Sequence, residues 1–161
     1  MALSFEQKIV APADLAQTVG KLPRPLVFTN GVFDILPRGH VTYLAQARAL
    51  RTSLIVALND DGSVRRLAKG PDRPINPLPD RLAVMAALES VAMVTWFSDD
   101  TPLQLIQRCR PDVLVKGGDW PVHAIVGASD VIGWGGRVES IDFAHQRSTT
   151  SLLQKIRTAE Q

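Results

Sequence analysis

The chemistry of this sequence turns on His40. It follows the run Pro25-Leu26-Val27-Phe28-Thr29-Asn30-Gly31-Val32-Phe33-Asp34, in which apolar, strand-favouring residues end in the turn signal Asn30-Gly31. Gly39-His40 then opens a stretch with apolar residues at Val41, Leu44, Ala45, Ala47 and Leu50, the spacing of an amphipathic helix. His40 is therefore expected in the first turn of a helix that begins at a strand's carboxyl end. Unpaired backbone N–H groups and a partial positive charge collect at such a helix start, and a histidine placed there can donate to an anion the backbone already attracts. A phosphate suits that position.

Other segments could meet the same anion. Lys116-Gly117-Gly118-Asp119-Trp120 offers a cation beside glycines that allow close backbone approach, and Arg147-Ser148-Thr149-Thr150 offers hydroxyls at a helix start. The stretch Asp60–Pro79, read as one long loop, carries Asp61, Lys69 and Arg73, with Arg81 in the helix that follows. Long loops in compact domains are usually functional, and these cations could clamp phosphates. Each piece has a plainer reading when taken singly: Ser-Thr-Thr as a helix cap, Gly-Gly-Asp as a turn, Lys69 and Arg73 as solvated charges. Their order and spacing favour the joint reading.

Several chemistries are not encoded. No G-x-G-x-x-G follows the first strand, and neither G-x-x-x-x-G-K-[ST] nor G-x-S-x-G is present. His40, His123 and His145 lack metal-ligand spacing with one another or with the single cysteine, Cys109, so no metal site is expected. His123 and His145 read as loop histidines, and Cys109 as an ordinary helix residue. Asp99 and Asp100 read as helix-start residues rather than a metal pair.

The elements that must position these residues alternate. Strand-like runs at Leu26–Thr29, Leu54–Leu58, Val91–Phe97, Val113–Val115 and Val138–Ile141 are separated by helical patterns at Gly39–Arg51, Pro79–Glu89, Pro102–Arg110, about Ala124–Gly133, and Thr149–Arg157. Such βα alternation predicts an α/β fold, a Rossmann-like doubly wound five-stranded parallel sheet flanked by helices, with ligands bound beyond the strands' carboxyl ends. At 161 residues, 45% hydrophobic and 21% charged, the chain is expected to form one domain over 1–161, with residues 1–22 peripheral apart from a short helix around Ala13–Val19. The net charge of +2 is mild and the basic residues form no block, which argues against nucleic-acid binding and allows a basic pocket for a small acidic substrate. The N-terminus lacks a leader pattern and no apolar run is long enough to span a membrane, so a cytoplasmic protein is expected.

Read together, these strings resemble the cytidylyltransferase-like nucleotidyltransferases, whose signature runs G-x-F-D-x-x-H-x-G-H near the start and S-T-T or S-S-T near the end. The strings that carry the resemblance are T-N-G-V-F-D-I-L at 29–36, G-H-V-T-Y-L at 39–44, L-I-V-A-L-N-D-D-G-S-V at 54–64 and K-G-P-D-R-P-I-N at 69–76, with D-T-P-L-Q-L-I at 100–106, P-D-V-L-V-K-G-G-D-W at 111–120 and R-S-T-T at 147–150. Within the superfamily they are most similar to the single-domain heptose 1-phosphate adenylyltransferase branch. The resemblance implies ATP as substrate with Mg²⁺, a sugar phosphate as second substrate, release of pyrophosphate, and a homo-oligomer. It further implies a nucleotide site made of Thr29, Asn30, Gly31, Val32, Phe33, Asp34, Gly39, His40, Lys116, Gly117, Gly118, Asp119, Ser148, Thr149 and Thr150. Asn30, Asp61, Lys69, Arg73 and Arg81 would face the sugar phosphate or the pyrophosphate, and His40, Lys69 and Arg81 would be catalytic, with Asp34 an outer-shell contact of Mg²⁺. The alternatives are a cytidylyltransferase acting on a polyol phosphate such as glycerol 3-phosphate, and a catalytically weakened nucleotide-binding domain.

That last alternative comes from one departure. Where the family pattern has its first histidine, this chain has Pro37, giving P-R-G-H in place of H-x-G-H. Proline has no N–H and cannot donate to a phosphate. The pantetheine-phosphate adenylyltransferases carry threonine at this point of the pattern, so the fold itself does not require an imidazole there.

Overall fold

The computed structural model describes residues 1, 3–67, 69–145 and 148–160. Five strands, β1 (Leu26–Gly31), β2 (Ser53–Asn59), β3 (Met93–Phe97), β4 (Val113–Gly117) and β5 (Arg137–Ile141), form one parallel sheet in the order β3-β2-β1-β4-β5. The helices are α1 (Leu15–Val19), α2 (Arg38–Ala49), α3 (Asp61–Arg66), α4 (Leu78–Ala86), α5 (Leu103–Cys109), α6 (Ala128–Gly133) and α7 (Thr149–Ala159).

Both faces of the sheet are covered, so its central strands read as nearly continuous apolar runs; every residue of β2 is buried. Alternation along β1 divides the core. Leu26 and Phe28 pack with Leu15, Val19, Ile106 and Val131 on one face, while Val27 packs with Leu44, Ala47, Met85 and Ala86 on the other.

The strand order reverses between β1 and β4, and here the sheet splays. β1 and β4 pair only at Val27–Val113 and Phe28–Leu114, whereas β1 stays paired with β2 to Gly31 and β4 with β5 to Gly117. The carboxyl halves of β1 and β4 therefore diverge and leave a crevice at the topological switch point, the place where open α/β sheets bind ligands.

Two expectations need correction. The stretch Asp60–Pro79 is not all loop: Asp60 accepts a hydrogen bond from the Ser63 backbone N–H at 2.8 Å and so caps α3, which buries Val64. The first 22 residues are not peripheral either. The Val10 N–H donates to the Val94 carbonyl at 2.9 Å, Ile9 bridges to Val94 in parallel, and Leu15 is fully buried in the core. Helix α5 begins at Leu103, with Pro102 at its N-cap position.

Candidate active site

At the splayed edge of the sheet lies a cleft of about 260 Å³. Its floor is the chain leaving β1, Asn30 through Ile35, and its walls bring in His40 and Tyr43 from α2, Lys116 and Gly117 from β4, and Ser148, Thr149 and Thr150 at the start of α7. Lys69 and Arg73 reach the same cleft from the segment after α3. Arg147 lies outside the described residues.

His40 sits between two aromatic rings. Phe33 meets it edge-on with centroids 5.6 Å apart, and Phe143, just beyond β5, lies 5.1 Å away on the other side. Each ring rests over a glycine at a strand end: a Cβ on Gly31 would come within 2.8 Å of the Phe33 ring, and one on Gly117 within 2.5 Å of Phe143. Glycine at these two positions is what lets the aromatic brackets close on the imidazole. Phe33 adopts φ 47°, a left-handed conformation that is a true outlier for a bulky residue, so the surrounding structure must over-determine it. Behind His40, the buried Thr29 and Tyr43 hydroxyls hydrogen-bond at 2.5 Å and fasten α2 to β1. Burial pushes the Tyr43 phenol's pKa up, which keeps it a neutral partner.

The imidazole itself is held below its ordinary pKa, first by burial and then by the Lys69 cation. Its Nδ1 is buried and has no hydrogen-bond partner among the described residues. A buried polar atom of this kind is costly unless something else supplies its partner. Lys69 and Lys116 are also held below the usual lysine pKa. Desolvation is the first cause for both; for Lys69 the Arg73 cation adds to it and Asp34 opposes it, and for Lys116 the further cause is Lys69. Three cations thus crowd one cleft that contains a single carboxylate, Asp34. An entering anion relieves that repulsion.

Asp34 is already engaged. Its carboxylate accepts from Arg73 Nε at 2.9 Å, from the Ile75 N–H at 2.7 Å and from the Asn76 N–H at 2.8 Å, while Asn76 Nδ2 donates back to the Asp34 carbonyl at 2.7 Å. Burial raises the Asp34 pKa, but the two backbone N–H groups and Arg73 outweigh it and the net value lies below normal. Asp34 is therefore the clasp that holds the segment carrying Arg73, not a free ligand. Among the described residues no three His, Cys, Asp or Glu side chains come together to hold a metal ion, and a donor set of lysines, arginine and one occupied carboxylate does not fit a protein-held Mg²⁺.

Arg81 is likewise committed. Its guanidinium donates to the carbonyls of Asn76 (3.0 Å), Val32 (2.9 Å) and Asn59 (2.8 Å) and pairs with Asp61 at 2.7 Å, and its side chain has 0% exposure. Arg81 and Asp61, expected to meet the sugar phosphate, instead tie the ends of β1 and β2 together beneath the cleft. Thr29, expected at the nucleotide, is the partner of Tyr43. Gly39 is buried against the His145 backbone rather than lining the cleft.

Two further clefts adjoin. One, of about 720 Å³, is bordered by His40, Gly118, Asp119, Asp142, His145 and Ser148. The other, of about 250 Å³, shares Asn30, Gly31, Val32, Lys69 and Lys116 with the central cleft and extends over Phe97, Thr101 and Trp120. Phe143, Tyr43, Trp120 and His145 are the residues sequence reasoning did not place. The aromatic ending of K-G-G-D-W was the one local signal among them. Pro37 borders neither the central cleft nor its two neighbours; its ring faces a side groove with Arg38, His145 and Leu152.

The cytidylyltransferase-like family matches residues 28–155. The chain belongs to that family. This cytidylyltransferase-like chain is 57% identical over 155 residues to the D-beta-D-heptose 1-phosphate adenylyltransferase of Bordetella bronchiseptica, covering 95% of itself and 96% of that protein. It is 52% identical to the bifunctional protein HldE of Hahella chejuensis and 50% identical to that of Ectopseudomonas mendocina, each over 96% or more of the chain but only 32% of the longer relative. Among solved structures, the lipopolysaccharide core biosynthesis protein of Thermoplasma volcanium superposes with a TM-score of 0.61 at 26% identity, over 76% of this chain and 98% of that one. The pantoate-beta-alanine ligase of Francisella tularensis, at 13% identity and a TM-score of 0.60, covering 88% of this chain and 68% of its own, shares the fold. Membership in the cytidylyltransferase-like family makes the chain a nucleotidyltransferase.

Proposed function

We propose that this chain transfers the adenylyl group of ATP to D-glycero-β-D-manno-heptose 1-phosphate, releasing pyrophosphate and giving ADP-heptose, a precursor of the lipopolysaccharide inner core. The identity to a protein named for this substrate supports the reading of the sugar, and one observation carries the chemistry: two clefts share a floor at Asn30–Val32 and a cationic border at Lys69 and Lys116. One cleft suits a triphosphate, the other a second anion, and the shared border is where they would react.

An oxygen of the sugar phosphate attacks the α-phosphorus, a new P–O bond forms, and the bond to the β-phosphate oxygen breaks to release pyrophosphate. No general base is required, because a phosphate monoester with a second pKa near ~6 is already largely ionised at neutral pH. What the protein supplies is position and charge. His40, whose ring lines the cleft, donates to the α-phosphate as charge builds there. Arg73 and the N–H groups opening α7 hold the β- and γ-phosphates, while Lys69 and Lys116 receive the incoming phosphate. No side chain of the cleft would hold Mg²⁺; carried by the nucleotide, it would supply charge neutralisation at the triphosphate. Phe33 and Phe143 fix the His40 ring, and Arg81 with Asp34 keeps the floor and the Arg73 segment in place.

We assign the cleft bordered by Gly118, Asp119 and Asp142 to the nucleoside. A homo-oligomer in the cytoplasm, where both substrates occur, completes this reading; among the described residues no helix is long and apolar enough to cross a membrane.

Pyrophosphate release measured with ATP or CTP, against heptose 1-phosphate or glycerol 3-phosphate, tests the proposal. Turnover with ATP and the heptose phosphate alone is the expected result. Preference for CTP and glycerol 3-phosphate overturns it.

A further inference from the structure

The loop leaving β4 separates two compartments. Gly118 and Asp119 border the large cleft beside His40 and Ser148, whereas Trp120, the next residue, borders the smaller cleft with Phe97, Thr101 and Asn30. Its indole is pinned: Nε1 donates to the Gly117 carbonyl at 3.1 Å, and its backbone N–H donates to Ser140 Oγ at 3.1 Å. Lys116 Nζ lies 5.7 Å from the ring centroid, a cation–π distance that couples the indole to a cation of the shared border. Despite these anchors the side chain remains 48% exposed, the large aromatic most open to solvent in the chain. The indole is thus held in place by hydrogen bonds while about half of it stays open, which preorganises an aromatic surface at the edge of the cleft.

The surroundings name the chemistry that would cover it. The compartment holds about 250 Å³, room for a single sugar ring, and is continuous with the phosphate border through Lys69 and Lys116. Its lining combines apolar surface from Trp120 and Phe97 with the polar groups of Asn30, Asp100 and Thr101. A pyranose has the same division: one ring face of C–H groups and a rim of hydroxyls. A small number of placed polar groups within an aromatic-lined cleft is the usual means of orienting such a ligand. We propose that Trp120 is the platform on which the sugar ring of the acceptor phosphate stacks, a positioning residue that selects a sugar phosphate over an open-chain polyol phosphate. The inference rests on the adenylyltransferase reading above and deepens it.

The test is a comparison of wild type, Trp120→Ala and Trp120→Phe in steady-state pyrophosphate release, varying each substrate against saturating amounts of the other. Trp120→Ala should raise the KM for heptose 1-phosphate about tenfold and leave the KM for ATP within about twofold, with kcat falling far less than kcat/KM for the sugar. Trp120→Phe, which keeps a ring but loses the Nε1 hydrogen bond, should recover most of the sugar KM. Heptose 1-phosphate should also quench the part of the wild-type tryptophan fluorescence that Trp120→Phe lacks, and ATP should not. An unchanged sugar KM in Trp120→Ala overturns the inference. So does an ATP KM that rises in step, or a Trp120→Phe variant as impaired as the alanine. Wild-type turnover is measured first: its absence overturns the adenylyltransferase reading itself, while its presence beside an unaffected Trp120→Ala overturns only the role of Trp120.

Discussion

The His40 imidazole and the Phe143 ring pack at a tilt of 48°, centroids 5.1 Å apart, across the gap between α2 and the chain leaving β5. The contact joins the first helix after β1 to the far edge of the sheet, and it is possible only because Gly117 has no side chain beneath the phenyl ring. The orientation of the His40 ring therefore depends on Phe143, which lines the same cleft, and on the missing side chain at Gly117.

Phe143→Ala should lower kcat about tenfold, because an imidazole displaced by even a fraction of an ångström loses alignment with developing charge. Cavity formation should also cost about 2–3 kcal/mol of stability at this half-buried position. Pyrophosphate release and urea unfolding on the same preparation check both effects. Full activity in the variant would show that Phe33 alone orients His40.

Arg81→Ala should fail mainly in folding. Removing a fully buried guanidinium leaves Asp61 and three carbonyls without their partner, at a cost of about 3–5 kcal/mol. Arg81→Lys should recover only part of it, since an ammonium lacks the planar fork. Denaturant midpoints measure this. A variant of normal stability with a raised KM for the sugar phosphate would return Arg81 to direct substrate contact.

Asp34→Asn should remove a pH dependence. The folded carboxyl has a pKa below its ordinary 3.8, so its contribution is complete above that pH and is lost as pH falls through the lower folded value. Wild-type stability should accordingly fall as the pH drops below about 4 and on through the lower folded value, and the asparagine variant should show a shallower drop from a lower plateau. Urea unfolding across this range is the check, and parallel profiles would contradict the role of Asp34 as clasp.

The strands and their order with the helices were legible because each buried strand is an apolar run bounded by turn residues, and β2 is apolar almost throughout. The pocket residues Asn30 to Asp34, His40, Lys116 and Ser148 to Thr150 were legible for a related reason: each stands at the carboxyl end of a strand or the first turn of a helix, positions that composition reveals. Charged residues were harder. Arg81, Asp61 and Lys69 look alike in a sequence, and only tertiary structure separates the arginine buried under carbonyls from the lysine at the border. Helix α3 was hidden because Asp60-Asp61-Gly62-Ser63 has the composition of a turn, although the same Asp60 caps it. Phe143 was invisible because its partners, Gly117 at the end of β4 and His40 and Tyr43 on α2, come from two distant segments.

Pro37 caps α2 through its carbonyl, which accepts from the His40 N–H at 3.0 Å and the Val41 N–H at 3.4 Å. Any residue can do this, so Pro37→His should fold normally. A single donor aimed at developing charge contributes on the order of 10²–10³ in rate. The side groove that Pro37 faces shares Ile35, Ser148 and Thr149 with the central cleft, so a histidine at 37, longer than proline, brings a further donor to that shared border and should raise kcat about tenfold with little change in ATP affinity. Unchanged turnover would mean that the cationic edge is complete without it.

The role proposed for His40 is to stabilise charge in the transition state rather than to hold ATP. His40→Ala, assayed for kcat by pyrophosphate release and for ATP affinity by calorimetry, tests it most directly. The account predicts a loss in kcat of about 10²–10³ with ATP affinity changed less than about threefold; unchanged turnover, or a loss of ATP binding that accounts for all of the lost activity, would contradict it.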